Sequence, residues 1–249
     1  MSIYLYGIVP DPLPQDAHPN TDGVGDPPRP VRILRHRALA ALVSDVILDE
    51  VSGDNVRLLR RNMKAHSAIL NALIAHATTV LPVRFGVVFP DERAMVAELL
   101  EPQQAVLKQH LTELNGTVEV TLKATYIEDR VLAQIVSEHP QLVAHGRGGG
   151  RSSYQSKLET GKRIAAAIQA RRDKEGQWIV DKLRKSVLAI HINKTLSDLM
   201  ALNASFLVDR AKISAFDKEV ERVHAQVGEY IKLDCVGPLP PYSFVDLRL

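Results

Sequence analysis

The residues best equipped for chemistry are His66, Arg84, the lone Cys235 and the stretch Gly146-Arg147-Gly148-Gly149-Gly150-Arg151. His66 is a candidate general base or partner-sensing group. It sits on an apolar helical stripe, however, where a core histidine satisfied by backbone is the commoner arrangement. Arg84 is hemmed in by Val83, Phe85, Val87 and Phe89, so its five donors need a carboxylate, carbonyls or a polar ligand. Pairing with an internal acid is the first expectation and a ligand or partner site the second. The histidines form no HxxxH or HExxH and there is no CxxC, so no metal site is expected. No GxSxG elbow occurs, and Cys235, on the inward alternation of a strand, reads as a small buried hydrophobe.

The glycine stretch could cradle an anion with its amides. It is not a Walker loop: Arg163 follows Gly161-Lys162, and Ser156 stands where the first glycine is required. A mobile linker is the simpler reading. The basic residues beyond it (Lys157, Lys162, Arg163, Arg171, Arg172, Lys174) read as one solvated helix face, diluted by Glu159, Asp173 and Glu175. These residues assemble neither a catalytic constellation nor a cofactor site, and the chain is not expected to be an enzyme.

Composition narrows the class further. A chain of 249 residues that is 45% hydrophobic and 24% charged is ordinary for a globular protein of one or two domains. A net charge of +2 offers no global attraction to nucleic acid or membrane. One cysteine excludes an intrachain disulfide and fits a reducing compartment. The opening MSIYLYGIVP does not read as a secretory signal, and no apolar run is long enough for a membrane span, so a cytoplasmic protein is expected.

The elements that must position these residues alternate between strand and helix. Ile3–Val9 is apolar on both faces, as in a covered strand. A Pro/Asp/Gly-rich loop spans Pro10 to Pro30, and strands Val31–Leu34 and Leu39–Val46 flank the basic turn Arg35-His36-Arg37. A helix starting at an Asp54 cap carries the stripe Val56, Leu59, Met63, His66, Leu70, Leu73 and Ala77. Thr79–Phe89 reads as a strand with Pro82 at an edge or start. Its alternation places Arg84, Gly86 and Val88 on one face, Val83, Phe85, Val87 and Phe89 on the other. A helix opening at Pro90-Asp91, interrupted at Pro102, ends by Asn115-Gly116.

A second cycle follows: a half-buried strand over residues 118–126, a helix over 128–137, then a long helix over 155–190 that could be interrupted near Gly176. A strand over 205–209 precedes a Ser214/Asp217 capping box and a helix with Phe216, Val220, Val223 and Val227 inward. A strand over 231–235 closes the cycle. The fold class expected is α+β, with an N-terminal domain over residues 1–116 and a ferredoxin-like domain over 117–236. An extended Pro-rich tail occupies 237–249.

That tail, Gly237-Pro238-Leu239-Pro240-Pro241-Tyr242-Ser243-Phe244-Val245, is the most distinctive piece. Prolines forbid a helix interior or central strand, yet Tyr242 and Phe244 would not be left in solvent. It should lie in a groove, of its own domain or of a partner. Together YLYGIV (Tyr4–Val9), His66…TVLPVRFGVVF (Thr79–Phe89), Phe206-Leu207-Val208 and GPLPPYSFV resemble the gas vesicle protein F/L family over essentially the whole chain. One departure is Val87, where the family's RFGT block carries threonine, which makes that face apolar.

The resemblance implies a non-enzymatic accessory protein of gas vesicle formation, without cofactor. It implies that the protein nucleates or chaperones the small hydrophobic shell protein alongside other accessory proteins, partly retained in the vesicle. Partners would be proteins, not nucleic acid or membrane. Arg84, Phe85 and Phe89, with His66, would organise the first domain, and Pro241, Tyr242 and Phe244 would anchor the tail. The alternative is a ferredoxin-like regulatory protein that binds a small anionic ligand or nucleotide through Arg84 and the glycine loop.

Overall fold

The computed structural model describes residues 1–14, 17, 21–140 and 154–247. The expected Gly146–Gly150 loop, with Arg147 and Arg151, lies outside the described residues. The chain is α+β and divides into two compact units. One comprises Met1–Glu119 with Gly237–Leu249, the other Val120–Val236.

In the first unit, β1 (Ser2–Pro10), with strand neighbours on both edges in a five-stranded sheet, is nearly all apolar because its side chains are buried on both faces. β3 (Leu39–Val46) pairs with it antiparallel, and β2 (Arg32–His36) pairs with β3. The β2–β3 turn falls at Arg37, in the left-handed region at φ 56°, so the basic run belongs partly to β2. A short helix, α1 (Asp49–Ser52), leads to α2 (Val56–Ala75). The cap of α2 is Asn55, whose side chain accepts from Leu58 N–H, rather than Asp54. Its buried face is Asn62, His66, Ile69, Leu70, Leu73 and Ile74. Val56 and Met63, expected inward, are exposed, Met63 by 48%. Ile74, which repeats the azimuth of Val56 five turns later, and Leu70, two turns on from Met63, are buried, so it is the N-terminal half of the stripe that is left uncovered.

The segment Thr79–Phe89 is not one strand. β4 (Leu81–Pro82) and β5 (Val88–Phe89) pair separately with the same side of β1, at Ile8/Gly7 and at Ile3/Tyr4. Bonds from Val83 N–H to Tyr6 O (3.0 Å) and from Leu5 N–H to Val87 O (3.1 Å) pin both ends of the intervening turn. Gly86 takes φ +98° there, a conformation that L side chains rarely adopt. Helices α3 (Glu92–Met95) and α4 (Gln104–Glu113) follow, joined by a π-helical turn over Val96–Leu100.

In the second unit, β6 (Thr117–Tyr126), most of which belongs here, is followed by α5 (Glu128–Glu138) and α6 (Tyr154–Leu183). β7 (Ala189–Ile192), β8 (Met200–Asp209), α7 (Ile213–Val227) and β9 (Ile231–Leu239) complete it. The four-stranded sheet runs β7-β8-β6-β9. Several expectations change. The long helix stops at Leu183, because the chain from Ala189 joins β8 instead. Gly176 does not interrupt it: an added Cβ there would collide with Ala201 O, so the glycine permits close helix–sheet approach. The Ser214/Asp217 box does not form; Asp209 accepts from Ala211 N–H to cap a 3-10 turn before α7. β9 runs on through Pro238 to Leu239, which an edge strand tolerates. Cys235, expected inward, is exposed on that edge.

Candidate functional site

Three of the sequence-selected residues, His66, Phe85 and Tyr242, converge on one polar–aromatic cluster in the first unit. β1 alternation sends Tyr4 and Tyr6 toward α2, where His66 is 2% exposed. Tyr4 Oη lies 2.8 Å from His66 Nδ1, and Gly86 N–H donates to the same hydroxyl (3.3 Å). His66 Nε2 lies 3.0 Å from Val83 O and 3.3 Å from Tyr242 Oη. A carbonyl only accepts, so Nε2 carries the hydrogen and Nδ1 accepts from Tyr4. Tyr242 then accepts a share of the Nε2–H bond. The Tyr6 ring stacks on the imidazole at 5.6 Å, and Phe85 meets it edge-on at 5.9 Å.

This environment holds His66 neutral. Burial lowers its pKa to about 4, opposed by the Val83 carbonyl. Protonated Nδ1 would face a hydroxyl that must then turn its own hydrogen away. Burial pushes the Tyr4 hydroxyl up, with the Gly86 N–H pulling the other way, and raises Tyr242 to about 12, helped by the nearby Glu119 charge. At neutral pH the cluster is three uncharged rings joined by directed hydrogen bonds.

Two further arms fix it. Tyr6 Oη donates to Ser44 Oγ (3.0 Å), which donates to Pro30 O (3.0 Å), and Val24 N–H donates to Tyr6 Oη (2.8 Å). Gly23 is required beside this bond, because a Cβ there would collide with Tyr6 Oη. Asn62 binds the same loop, accepting from Gly25 N–H (3.2 Å) and donating to Glu50 O (2.7 Å), while Arg29 pairs with Glu50. The tail forms the second arm. Pro240 and Pro241 are buried, Tyr242–Phe244 makes a 3-10 turn, and Ser243 donates through N–H and Oγ to the Glu119 carboxylate, both at 2.8 Å. Glu119 is 4% exposed, at the start of β6.

The remaining selected residues spread outward. Phe89 is buried opposite Ile3, and Phe244 is half-buried. Arg84, for which internal pairing was expected, is exposed and makes no ion pair among the described residues. It borders a cleft of about 270 Å³ with Pro82, Val83, Val87, Tyr242, Val245, Asp246 and Leu247. Sequence reasoning missed Tyr4, Tyr6, Ser44, Asn62 and Glu119 as members of the network. An inward tyrosine pair on β1 was the available signal for the first two.

A second polar cluster lies in the other unit. Glu175 accepts from Tyr126 Oη (2.6 Å), Tyr230 Oη (3.0 Å) and Arg171 Nε (3.0 Å). Arg171 also donates to Gln134 Oε1 (2.7 Å) and lies 4.9 Å over the Tyr230 ring. Burial and the Glu175 charge raise the Tyr126 hydroxyl. Arg171, expected on a solvated face, is instead held in this cluster, and its i,i+4 spacing from Glu175 is the sequence signal for the pair. Among the described residues no group of His, Cys, Asp and Glu could hold a metal ion.

These features define an α+β protein whose conspicuous side chains bind one another and the chain's own loops. Its family follows from comparison: the chain belongs to the gas vesicle synthesis protein GvpL/GvpF family, whose model matches residues 2–246. Gas vesicle protein F of Streptomyces sp. is 36% identical across 99% of this chain and all of the relative. Gas vesicle protein F of Nostoc sp. is 24% identical over 98% of both chains. The fold is similar to the crystal structure of GvpF from Anabaena sp. (TM-score 0.83, 24% identity, 100% of this chain and 99% of that one). It is also similar to that of GvpF from Microcystis aeruginosa (TM-score 0.78, 23% identity, 99% of both). The family is one of gas vesicle proteins and not of known enzymes, so a role in gas vesicle formation follows. No helix among the described residues is long and apolar enough to cross a membrane.

Proposed function

We propose that this chain is a non-enzymatic cytoplasmic accessory protein that binds the small hydrophobic shell protein and nucleates or chaperones its assembly. On this reading it acts with other gas vesicle accessory proteins and is retained as a minor vesicle component. The observation that carries the reading is the family match over residues 2–246. The site supports it: a histidine held neutral between two tyrosines and a carbonyl is built to fix a surface, not to exchange protons. A shell protein with an apolar face to the gas would aggregate in water, and covering that face is a clear thermodynamic task.

In this reading His66, Phe85 and Phe89 organise the first domain, Pro241, Tyr242 and Phe244 hold the tail, and exposed Arg84 is interfacial. The two compact units serve as the two domains. The succession β6-α5-α6-β7-β8-α7-β9, with sheet order β7-β8-β6-β9, supports a ferredoxin-like second domain carrying one extra helix.

The test is co-expression with the organism's small shell protein and co-purification at low and high salt. Retention at high salt is expected for an apolar contact. A folded chain that retains no shell protein at either salt overturns shell binding.

A further inference from the structure

The second unit ends on one side in β7, the terminal strand of its sheet. Its pairing with β8 is antiparallel: Ala189↔Leu207, Ile190↔Phe206, His191↔Ser205, Ile192↔Ala204. Asn193 N–H donates to Asn203 O at 2.8 Å. Hydrogen bonding alternates along an antiparallel ladder, so His191 also faces β8, while Ile190 and Ile192 turn their N–H and C=O groups outward. Among the described residues no strand pairs with that edge. Natural edges are usually blunted, since unpaired backbone groups template pairing with another chain.

Here, beside the exposed His191, the edge carries exposed apolar side chains. Ile192 is 58% exposed, Leu188 61%, and Leu196 just beyond the strand is exposed too. Ile190 is opposite Phe206, which packs against Phe216 of α7 at 5.6 Å, so Ile190 and Ile192 point to the helix-covered face. A further strand beside β7 would extend that apolar layer and cover Ile192.

Charge selects the occupant. Lys185 and Lys194 flank the strand, both exposed and without ion pairs among the described residues. Arg184 adds a third cation, shared with Asp181 at 3.6 Å. A second copy pairing antiparallel through β7 would set the Lys185 flank against the other copy's Lys194 flank, and like charges across a ladder are destabilising. The geometry points to β7 as an acceptor for one extended segment of a different protein, with an alternating apolar core and acidic flanks, added as a fifth strand. Backbone bonds to Ile190 and Ile192 would supply affinity, and the lysines would choose the partner.

The test uses two labelled peptides with the same alternating valine–threonine core, one flanked by glutamates and one by lysines, titrated into the full chain. The glutamate-flanked peptide should bind about tenfold more tightly at low salt, with the gap narrowing at high salt. Its binding should protect the Ile190 and Ile192 amides from hydrogen exchange. Ile190→Pro should abolish binding, and the exposed pair Lys185→Glu with Lys194→Glu should reverse the peptide preference, which decides the matter even if the proline variant fails to fold. Equal affinities, no binding, or protection confined to other elements overturns the proposal. Because no shell protein is used, this result and the co-purification above can fail independently.

Discussion

Replacing His66 with glutamine should remove a specific part of the acid sensitivity of the first unit. The folded imidazole titrates at about 4 against an ordinary 6.5, because it is buried between Tyr4, Tyr6 and Phe85. Between these two values the unfolded chain binds more protons than the folded one, so stability rises with pH through that window. The neutral histidine's contribution is complete above about 6.5 and is lost as pH falls toward 4. From pH 8 to pH 5 the loss works out at about 2 kcal/mol, since one proton taken up only by the unfolded chain costs about 1.4 kcal/mol for each pH unit below 6.5. His66→Gln should lose that much less over the same interval, whatever its stability at pH 8.

The assay is urea unfolding at both pH values, read by hydrogen exchange of α2 peptides. The single tryptophan, Trp178, lies in the other unit and does not report on this one. A direct check is the His66 imidazole resonance, which should not titrate until pH approaches 4. Identical pH dependence in the two proteins, or a resonance that titrates near 6.5, would refute the neutral-imidazole assignment.

The two tyrosines on His66 should behave unequally. Tyr4→Phe leaves Nδ1 and the Gly86 N–H without their partner and should cost about 2 kcal/mol, whereas Tyr242→Phe leaves Nε2–H bonded to Val83 and should cost under about 1 kcal/mol. The same exchange-monitored urea titration checks the ranking, and the reverse order would contradict the assigned hydrogen-bond directions. In the other unit, Gly176→Ala drives a Cβ onto Ala201 O and should cost roughly 2–3 kcal/mol, visible in Trp178 fluorescence during unfolding. An unchanged midpoint would mean that α6 does not approach the sheet as closely as the structure shows.

The candidate cluster was half legible in advance. His66, Phe85 and Tyr242 stand out by type and setting, but the bonds joining them cross large separations, 62 positions for Tyr4–His66 and 176 for Tyr242–His66. Hydrophobic periodicity carries no information about such pairings. Asn62 is the clearest omission: a polar residue beside an apolar stripe reads as solvated until a loop arrives to bond both ends of its amide. Arg84 misleads in the opposite direction. Its apolar neighbours suggested enclosure, but the turn at Gly86 carries its side chain to the surface.

By itself the sequence determined what depends on local composition and pattern. It marked β1, β3 and β6 as strands, α2 and α7 as helices packed on one face, and the proline-rich end as a segment that must be covered. Its motifs also sufficed for the family. Tertiary structure decided what depends on neighbours. It split Thr79–Phe89 into two pieces because β1 bonds each end separately, turned Ala189–Ile192 into a strand because β8 offers an edge, and exposed Cys235 because β9 is an outer strand. Short strands have too few local interactions to exist alone, and a side chain is buried only where another element covers it.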